Sequence, residues 1–133
     1  METTELAVDT STSPVTDLTA QVGDFCRSSG DGLVHVFVPH ATAGVALMET
    51  GSGSEADLEG LLRDLIPRDD RWRHRHGSPG HGADHLLPVL VGPSLCIPVQ
   101  GGKPLLGTWQ SVVLVDLNGD NPRRRVRLSF LSA

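Results

Sequence analysis

The sequence predicts a single domain that combines β-strands with two amphipathic helices. Its 133 residues are enough to bury roughly two-thirds of the unfolded surface. A (β/α)8 barrel requires about 200 residues or more, so the chain is too short for that fold. Two segments carry apolar residues at helical spacing, and several short apolar runs are bounded by glycine and proline turns, as strands are. We find no internal repeat and no linker, so residues 1–133 form one domain.

The first third of the chain predicts a strand, a helix and a central strand. Glu5–Thr12 is a short strand-like run, and a helix begins at Thr16 or Asp17, which cap it. The apolar positions of this helix fall on one face: Leu18, Val22, Phe25 and Cys26. Leu33–Val38 is almost entirely apolar, which predicts a strand buried on both sides. His35 within it is expected to be a hydrogen-bonded interior or interface residue.

A second pair of strand and helix follows. Val45–Met48 predicts the strand, and the helix begins near Ser54, where Ser54 and Asp57 resemble a capping box. The apolar residues of this helix recur at helical spacing and predict its buried face: Leu58, Leu61, Leu62 and Leu65.

The last third predicts a β-meander. Ser94–Val99 and Lys103–Leu106 flank a glycine turn, and Ser111–Leu117 follows after an interruption. Asn118–Pro122 has the composition of a hairpin turn. Arg125–Leu131 then alternates apolar and polar residues, which predicts a strand with one face toward the core.

Composition excludes several classes of protein. A net charge of −5 argues against general nucleic-acid binding, because neutralising phosphates requires surplus lysine and arginine. No segment approaches the length of a membrane span, and the first ten residues lack the basic and apolar regions of a signal peptide. Cys26 and Cys96 are expected to be free, buried thiols in a reducing compartment. The expected location is the cytoplasm.

The first candidate site lies between Pro39 and Asp57. His40 follows the apolar Leu33–Val38 strand, Glu49 ends the next strand, and Asp57 lies in the first turn of the second helix. Loops at strand ends often present functional groups, and a histidine with two carboxylates can bind a metal or transfer protons. The competing interpretation is a histidine that caps a strand end and two solvated carboxylates.

The second candidate site is the histidine-rich segment Arg68–Asp84 together with His85. Four histidines fall within twelve residues, a density that suggests metal or anion binding: His74, His76, His81 and His85. The spacing matches no zinc signature and no cysteine joins them, which argues against a closed structural zinc site. The competing interpretation is a surface loop without a ligand.

Several motifs together resemble the YjbQ-like family along nearly the whole chain: HATAGVALMET, the histidine-rich segment ending in Asp84-His85, SLCIPV and GTWQ. The family pattern at the first site is matched by His40, Thr42, Ala43 and Gly44. Its N-E-N triplet survives only in Glu49. The matches elsewhere are Asp57, His85, and the whole of Gly107, Thr108, Trp109 and Gln110. Asp84 replaces an alanine of the family, and the pattern's middle histidine is either His74 or His76.

The resemblance implies an α+β fold, an antiparallel or mixed β-sheet sandwich with two main helices that assembles as a homotrimer. It also implies a secondary thiamine-phosphate synthase, a transferase that joins a pyrimidine methyl diphosphate to a thiazole phosphate and releases pyrophosphate. The alternative is a non-catalytic trimeric protein that binds a metal or an anion. A histidine-bearing hydrolase is a third interpretation, but the chain has no nucleophile motif.

The resemblance assigns roles that the structure can locate. Catalytic roles fall to His40, Glu49 and Asp57, and the expected metal ligands are His74, His76 and His85, around Mg²⁺ or Zn²⁺. The expected substrate-binding residues are Thr42, Gly107, Thr108, Trp109 and Gln110. We expect a small phosphorylated or anionic ligand, and His40, Glu49 and His85 are expected to converge on one pocket at a subunit boundary.

Overall fold

Two antiparallel β-sheets pack face to face in the computed structural model, which describes residues 1–133. The strands are β1 (Glu2–Asp9), β2 (Val15–Asp17), β3 (Gly32–Phe37), β4 (Gly44–Met48), β5 (Ser94–Gln100), β6 (Lys103–Pro104), β7 (Ser111–Val115) and β8 (Arg123–Ser132). The helices are α1 (Thr19–Cys26), α2 (Ser54–Leu65), α3 (His81–Asp84) and α4 (Leu87–Val91). The predicted α+β sandwich with two main helices, α1 and α2, is confirmed.

The last three strands, β6, β7 and β8, do not all belong to one sheet. The five-stranded sheet runs β1-β8-β3-β5-β6, and the three-stranded sheet runs β2-β7-β4. The predicted β-meander is therefore wrong, because β7 leaves the sheet that contains β5, β6 and β8. The segment Asn118–Pro122 is accordingly a crossover between sheets and not a hairpin turn. Local turn composition identified the break but not the partner of each strand.

Two apolar cores lie on the two faces of the three-stranded sheet. The first fills the space between the sheets, where β7 contributes Val112 and Leu114. The second lies under α2, α3 and α4, where β7 contributes Val113 and Val115. Alternate residues of a strand point to opposite faces, so β7 is buried on both sides.

Strand β3, in contrast, is buried on one side only. Val34 and Val36 are fully buried, whereas Leu33 is 41% exposed and Phe37 is 36% exposed. The prediction of burial on both sides is wrong within one chain, because no element of the chain covers the outer face of the five-stranded sheet. His35 lies on that outer face and is half-buried.

The beginnings of both main helices differ from the predicted caps. Leu18 is the N-cap of α1, although the Asp17 carboxylate accepts a hydrogen bond from the Thr19 amide at 2.8 Å. Gly53, with a φ of 99°, is the N-cap of α2, and no side chain caps this helix. The predicted capping box of Ser54 and Asp57 is therefore wrong.

The apolar face of α2 is narrower than its sequence predicts. Leu58 and Leu62 contact the second core, but Leu61 and Leu65 remain exposed. The longest helix has twelve residues, and none is long and apolar enough to cross a membrane.

The two cysteines are free, as predicted, but only one of them is buried. Cys26 lies in the first core. Cys96 is exposed, because the inward positions of β5 are occupied by Ile97 and Val99.

Candidate metal centre

The four histidines of the histidine-rich segment converge in space. Ring centroids lie 4.1 Å apart for His74 and His76, 4.4 Å for His74 and His85, and 4.6 Å for His81 and His85. One ring nitrogen from each of His74, His81 and His85 lies within 4.8 Å of the others. The sequence indicated the density of histidines, and the structure adds His81 to the central group.

Short-range geometry explains this convergence. His81 begins the single turn α3 and His85 follows its end, so the two side chains are four residues apart on one helical face. Trp72 holds the preceding segment against this turn, and its indole nitrogen donates a hydrogen bond to the Pro67 carbonyl at 2.7 Å. Gly82 permits the approach, because a Cβ at that position would lie 2.7 Å from the Cβ of Trp72.

The hydrogen bonds of His81 orient its ring toward His85. Its Nδ1 lies 3.3 Å from the Asp120 carboxylate, which also accepts a hydrogen bond from the Ser78 hydroxyl at 2.8 Å. An ionised carboxylate only accepts hydrogen bonds, so this contact requires the proton of His81 on Nδ1. The Nε2 lone pair is then directed at the Nε2 of His85, 3.0 Å away.

This pair of nitrogens fits a bound transition metal. Two nitrogens on a tetrahedral zinc ion, each at about 2.0–2.1 Å from the metal, are separated by about 3.3 Å. Metal-bound histidines commonly donate their other N–H to a carboxylate, which fixes the ring and raises its basicity. The Asp120–His81–His85 arrangement has both features.

The electrostatics favour the neutral imidazole that metal binding requires. Partial desolvation lowers the pKa of His74, and the neighbouring His76 and His81 add to this effect. The pKa of His85 is lowered in the same way, first by desolvation and then by the surrounding histidines. The Ser78 hydroxyl is the main reason that the pKa of Asp120 is lowered, so its carboxylate stays ionised.

An open polar pocket of about 510 Å³ adjoins the cluster. His74 and His81 line it together with residues of both charges, and no hydrophobic side chain contributes. Arg68 and Arg75 are the basic residues of its wall, and Asp69 and Asp70 are the acidic ones. The pocket has room for a small charged ligand beside the histidines.

A buried polar network lies behind the cluster. Asp84 accepts hydrogen bonds from Arg68 and from the Asn118 amide nitrogen, the latter at 3.0 Å. The Asn118 backbone amide donates to Asp116 at 2.9 Å, and Arg124 donates to both oxygens of that carboxylate at 2.7 and 3.0 Å. Sequence reasoning missed this network. Its one signal was Asp84, an acidic residue at a position where the family resemblance predicts alanine.

Thr42 attaches to the same network from the other side, and His40 bonds to the next residue along β8. The Nε2 of His40 accepts a hydrogen bond from the Arg125 amide at 2.9 Å, and the Thr42 hydroxyl accepts one from Arg124 at 2.8 Å. The pairing of β3 with β8 stops at Phe37 and Arg127, so His40 satisfies an amide just beyond the ladder. Desolvation, followed by Arg124 and Arg125, lowers the pKa of His40.

Glu49 and the Gly107–Gln110 turn lie at the opposite end of the β4–β7 pair. Gly44 pairs with Val115 at the end near Thr42, whereas Met48 pairs with Ser111 at the other end. Four residue steps at roughly 3.3 Å each place these two ends about 13 Å apart. Within one chain the structure therefore does not bring Glu49 to His40.

The remaining predicted residues are at the surface. Trp109 is 74% exposed, and its neighbours Gly107, Thr108 and Gln110 are also exposed. The Gln110 side chain closes this turn by accepting a hydrogen bond from the Gly107 amide at 2.8 Å. Asp57 is exposed in the first turn of α2. A pocket that unites these residues with His40 and His85 stays a prediction, and it requires a second subunit.

Comparison with known proteins gives one consistent family. The family described as UPF0047 protein YjbQ-like matches residues 4–133. The UPF0047 protein Rv2556c of Mycobacterium tuberculosis is 65% identical over 131 residues, which cover 98% of each chain. The UPF0047 protein YugU of Bacillus subtilis is 32% identical, with 82% of each chain covered.

Solved structures agree with the fold. A hypothetical protein of Aeropyrum pernix is similar over 100% of both chains, with a TM-score of 0.87 and 33% identity. A protein of Sulfolobus solfataricus, described as YbjQ-like and of unknown function, has a TM-score of 0.91 and 26% identity, with 99% of this chain and 97% of that chain covered. The chain belongs to the YjbQ-like UPF0047 family.

Proposed function

We propose that this protein binds a divalent metal ion of the zinc class through His74, His81 and His85. The observation that carries the proposal is the paired Nε2 atoms of His81 and His85, 3.0 Å apart, with the Asp120 carboxylate behind His81. An all-imidazole donor set suits zinc, whereas magnesium prefers oxygen ligands. His76 packs against His74 and is not needed as a ligand.

The proposed site has three protein ligands and a fourth position open toward the pocket. Catalytic zinc sites have this arrangement, and structural sites are closed by a fourth protein ligand. An ion there would act as a Lewis acid toward an oxygen of a bound anion. Arg75 in the pocket wall supports a small phosphorylated or anionic compound as its ligand.

A second candidate is the thiamine-phosphate synthase type of transfer. In that reaction the bond between the pyrimidine methylene carbon and the diphosphate oxygen breaks, and the thiazole nitrogen bonds to that carbon. The diphosphate leaving group requires neutralisation by cations. Arg75 of the pocket wall, next to the proposed metal, supports this candidate. His40, Glu49 and Asp57 stay the proposed catalytic residues, with the Gly107–Gln110 turn as substrate contact from a neighbouring subunit.

We also propose a homotrimer in the cytoplasm. The exposed apolar residues on the outer face of the five-stranded sheet support subunit contacts: Leu33, Phe37 and Leu131. The two free cysteines support a reducing compartment.

Zinc affinity of the metal-free protein tests the proposed site. Competition with a chromophoric chelator should give one tightly bound ion per chain, and His81→Ala or His85→Ala should weaken binding more than about 100-fold, since each removes a ligand. His35→Gln is the matched control, because His35 lies on the outer face of the five-stranded sheet, and it should leave the affinity unchanged. Zinc affinity that is equal in all four proteins overturns the proposal.

A further inference from the structure

We infer that Asn118 is the positioning residue of the metal site, an inference that rests on the function proposed above. Asn118 is buried, with 6% of its surface exposed. Its amide nitrogen donates to Asp84 at 3.0 Å, and its amide oxygen accepts from the backbone amide of Asp120 at 2.7 Å. One side chain thus joins two segments that meet at His81.

The first link fixes the backbone that carries the ligands. Asp84 is the last residue of α3, and it lies between His81 and His85 in the chain. Its carboxylate is almost fully buried and is held by Arg68 as well as by Asn118. This link fixes the position of α3, and with it the backbone positions of His81 and His85.

The second link fixes the carboxylate that orients His81. Asp120 has a side chain that is 38% exposed and belongs to the irregular crossover between β7 and β8. The Asn118 oxygen also accepts from the Asn121 amide at 3.2 Å, which closes a tight turn around Asp120. Without this turn the Asp120 carboxylate would lose its fixed position 3.3 Å from Nδ1 of His81.

Asn118 can hold both segments in place because hydrogen bonds fix its own backbone. Its amide donates to Asp116, whose carboxylate is also bound by Arg124 and by the Thr10 hydroxyl at 2.7 Å. All of these groups are buried. The chain of contacts therefore runs from the buried network to Asn118, and from there to both sides of His81.

Two substitutions in the full-length chain test this role. Asn118→Ala removes both links. Asn118→Asp keeps an oxygen that can accept from the Asp120 amide, but it places a carboxylate against Asp84. We expect both variants to weaken zinc binding about 10- to 100-fold, the usual effect of losing an outer-shell partner. We also expect the visible absorption of bound Co²⁺ to lose the intensity of tetrahedral coordination.

Val34→Ala is the matched control. It removes buried apolar atoms from the first core, between the two sheets, and Val34 belongs neither to the second core nor to the hydrogen-bond network of Asn118. This variant should unfold at lower urea concentration and still bind zinc with wild-type affinity and give the wild-type Co²⁺ spectrum. If Asn118→Ala does not fold, Asn118→Asp alone decides, and a zinc affinity and Co²⁺ spectrum equal to those of the wild type overturn the role of Asn118.

The outcomes separate the two proposals. A wild-type protein that binds no zinc overturns the proposed function, and this inference with it. Zinc binding by the wild type and by the Asn118 variants with equal affinity and equal spectra overturns only the role of Asn118. An equal loss of affinity in Val34→Ala and the Asn118 variants also overturns it, because the effect would then be general destabilisation.

Discussion

The Nδ1 atom of His81 lies 3.3 Å from a carboxylate oxygen of Asp120, although the two residues are far apart in sequence. The crossover that carries the chain from β7 to β8 brings Asp120 to this position. The contact fixes the ring so that Nε2 points at His85. A surface cluster of histidines without a ligand would not require such a fixed ring.

Metal affinity should decrease as the pH falls. Metal binding requires neutral imidazole, and an unperturbed histidine has a pKa near about 6.5. Because the pKa values of His74 and His85 are lowered, the loss of zinc affinity should begin below that value. Calorimetric titration with zinc at pH 7.5 and 5.5 measures this loss of affinity. A parallel titration with pyrophosphate alone is the control, because an anion held by imidazolium would bind more tightly at the lower pH.

Arg124 should be essential for stability, unlike its neighbours in sequence. It is 2% exposed and donates to Asp116 and Thr42, whereas Arg123 is at the surface. Arg124→Ala leaves a buried carboxylate unpaired and should reduce the free energy of unfolding by about 3–5 kcal/mol. Arg123→Ala, the matched control, should change it by less than about 0.5 kcal/mol. Urea unfolding compares the two variants, and equal effects would contradict the burial of Arg124.

His40 should make the free energy of unfolding depend on pH. The folded state lowers the pKa of His40, so the unfolded chain binds the proton first as the pH falls. The stability that His40 contributes is therefore present above about pH 6.5 and decreases below it. His40→Gln should cost about 0.5–1.5 kcal/mol at pH 7.5, through the weakened bond to the Arg125 amide. It should also reduce the difference in unfolding free energy between pH 7.5 and 5.5. An unchanged difference would show that His40 titrates alike in both states.

The outer face of the five-stranded sheet should be the surface that forms the trimer. Phe37→Glu places a charge among the exposed apolar residues of this face and should reduce the mass measured by light scattering toward that of a monomer. Leu65→Glu is the control, because Leu65 is an exposed apolar residue of α2 and lies outside the sheet. A wild-type protein that is monomeric at micromolar concentration would contradict the trimer, and dissociation by Leu65→Glu alone would place the interface on the helices.

The sequence predicted where the helices and strands lie better than it predicted what each of them packs against. The apolar spacing of Leu58 and Leu62 and the alternation along Arg125–Leu131 were sufficient to locate α2 and β8. Apolar runs occur in both β3 and β7, and the sequence predicted burial on both sides for β3, yet it is β7 that is buried on both faces within the chain. The composition of a strand cannot distinguish burial by its own chain from an exposed apolar face.

The sequence likewise predicted only part of the candidate site. The density of histidines indicated His74, His76, His81 and His85, because residues close together in one segment can share a ligand whatever the rest of the fold is. Asp120 and Asn118 could not be assigned to the site, since their proximity depends on β7 crossing to the second sheet. Glu49 was grouped with His40 by its position in the chain, and Trp109 by family resemblance. The register of β4 with β7 places both at the end of this strand pair that is remote from His40 within one chain.

X-ray diffraction from crystals grown with zinc, measured above and below the zinc absorption edge, tests the metal site most directly. The proposed site predicts one anomalous peak per chain, about 2.0–2.1 Å from Nε2 of both His81 and His85 and within ligand distance of His74. A crystal without a peak at these histidines, or with its zinc bound at Glu49 and Asp57, would contradict it.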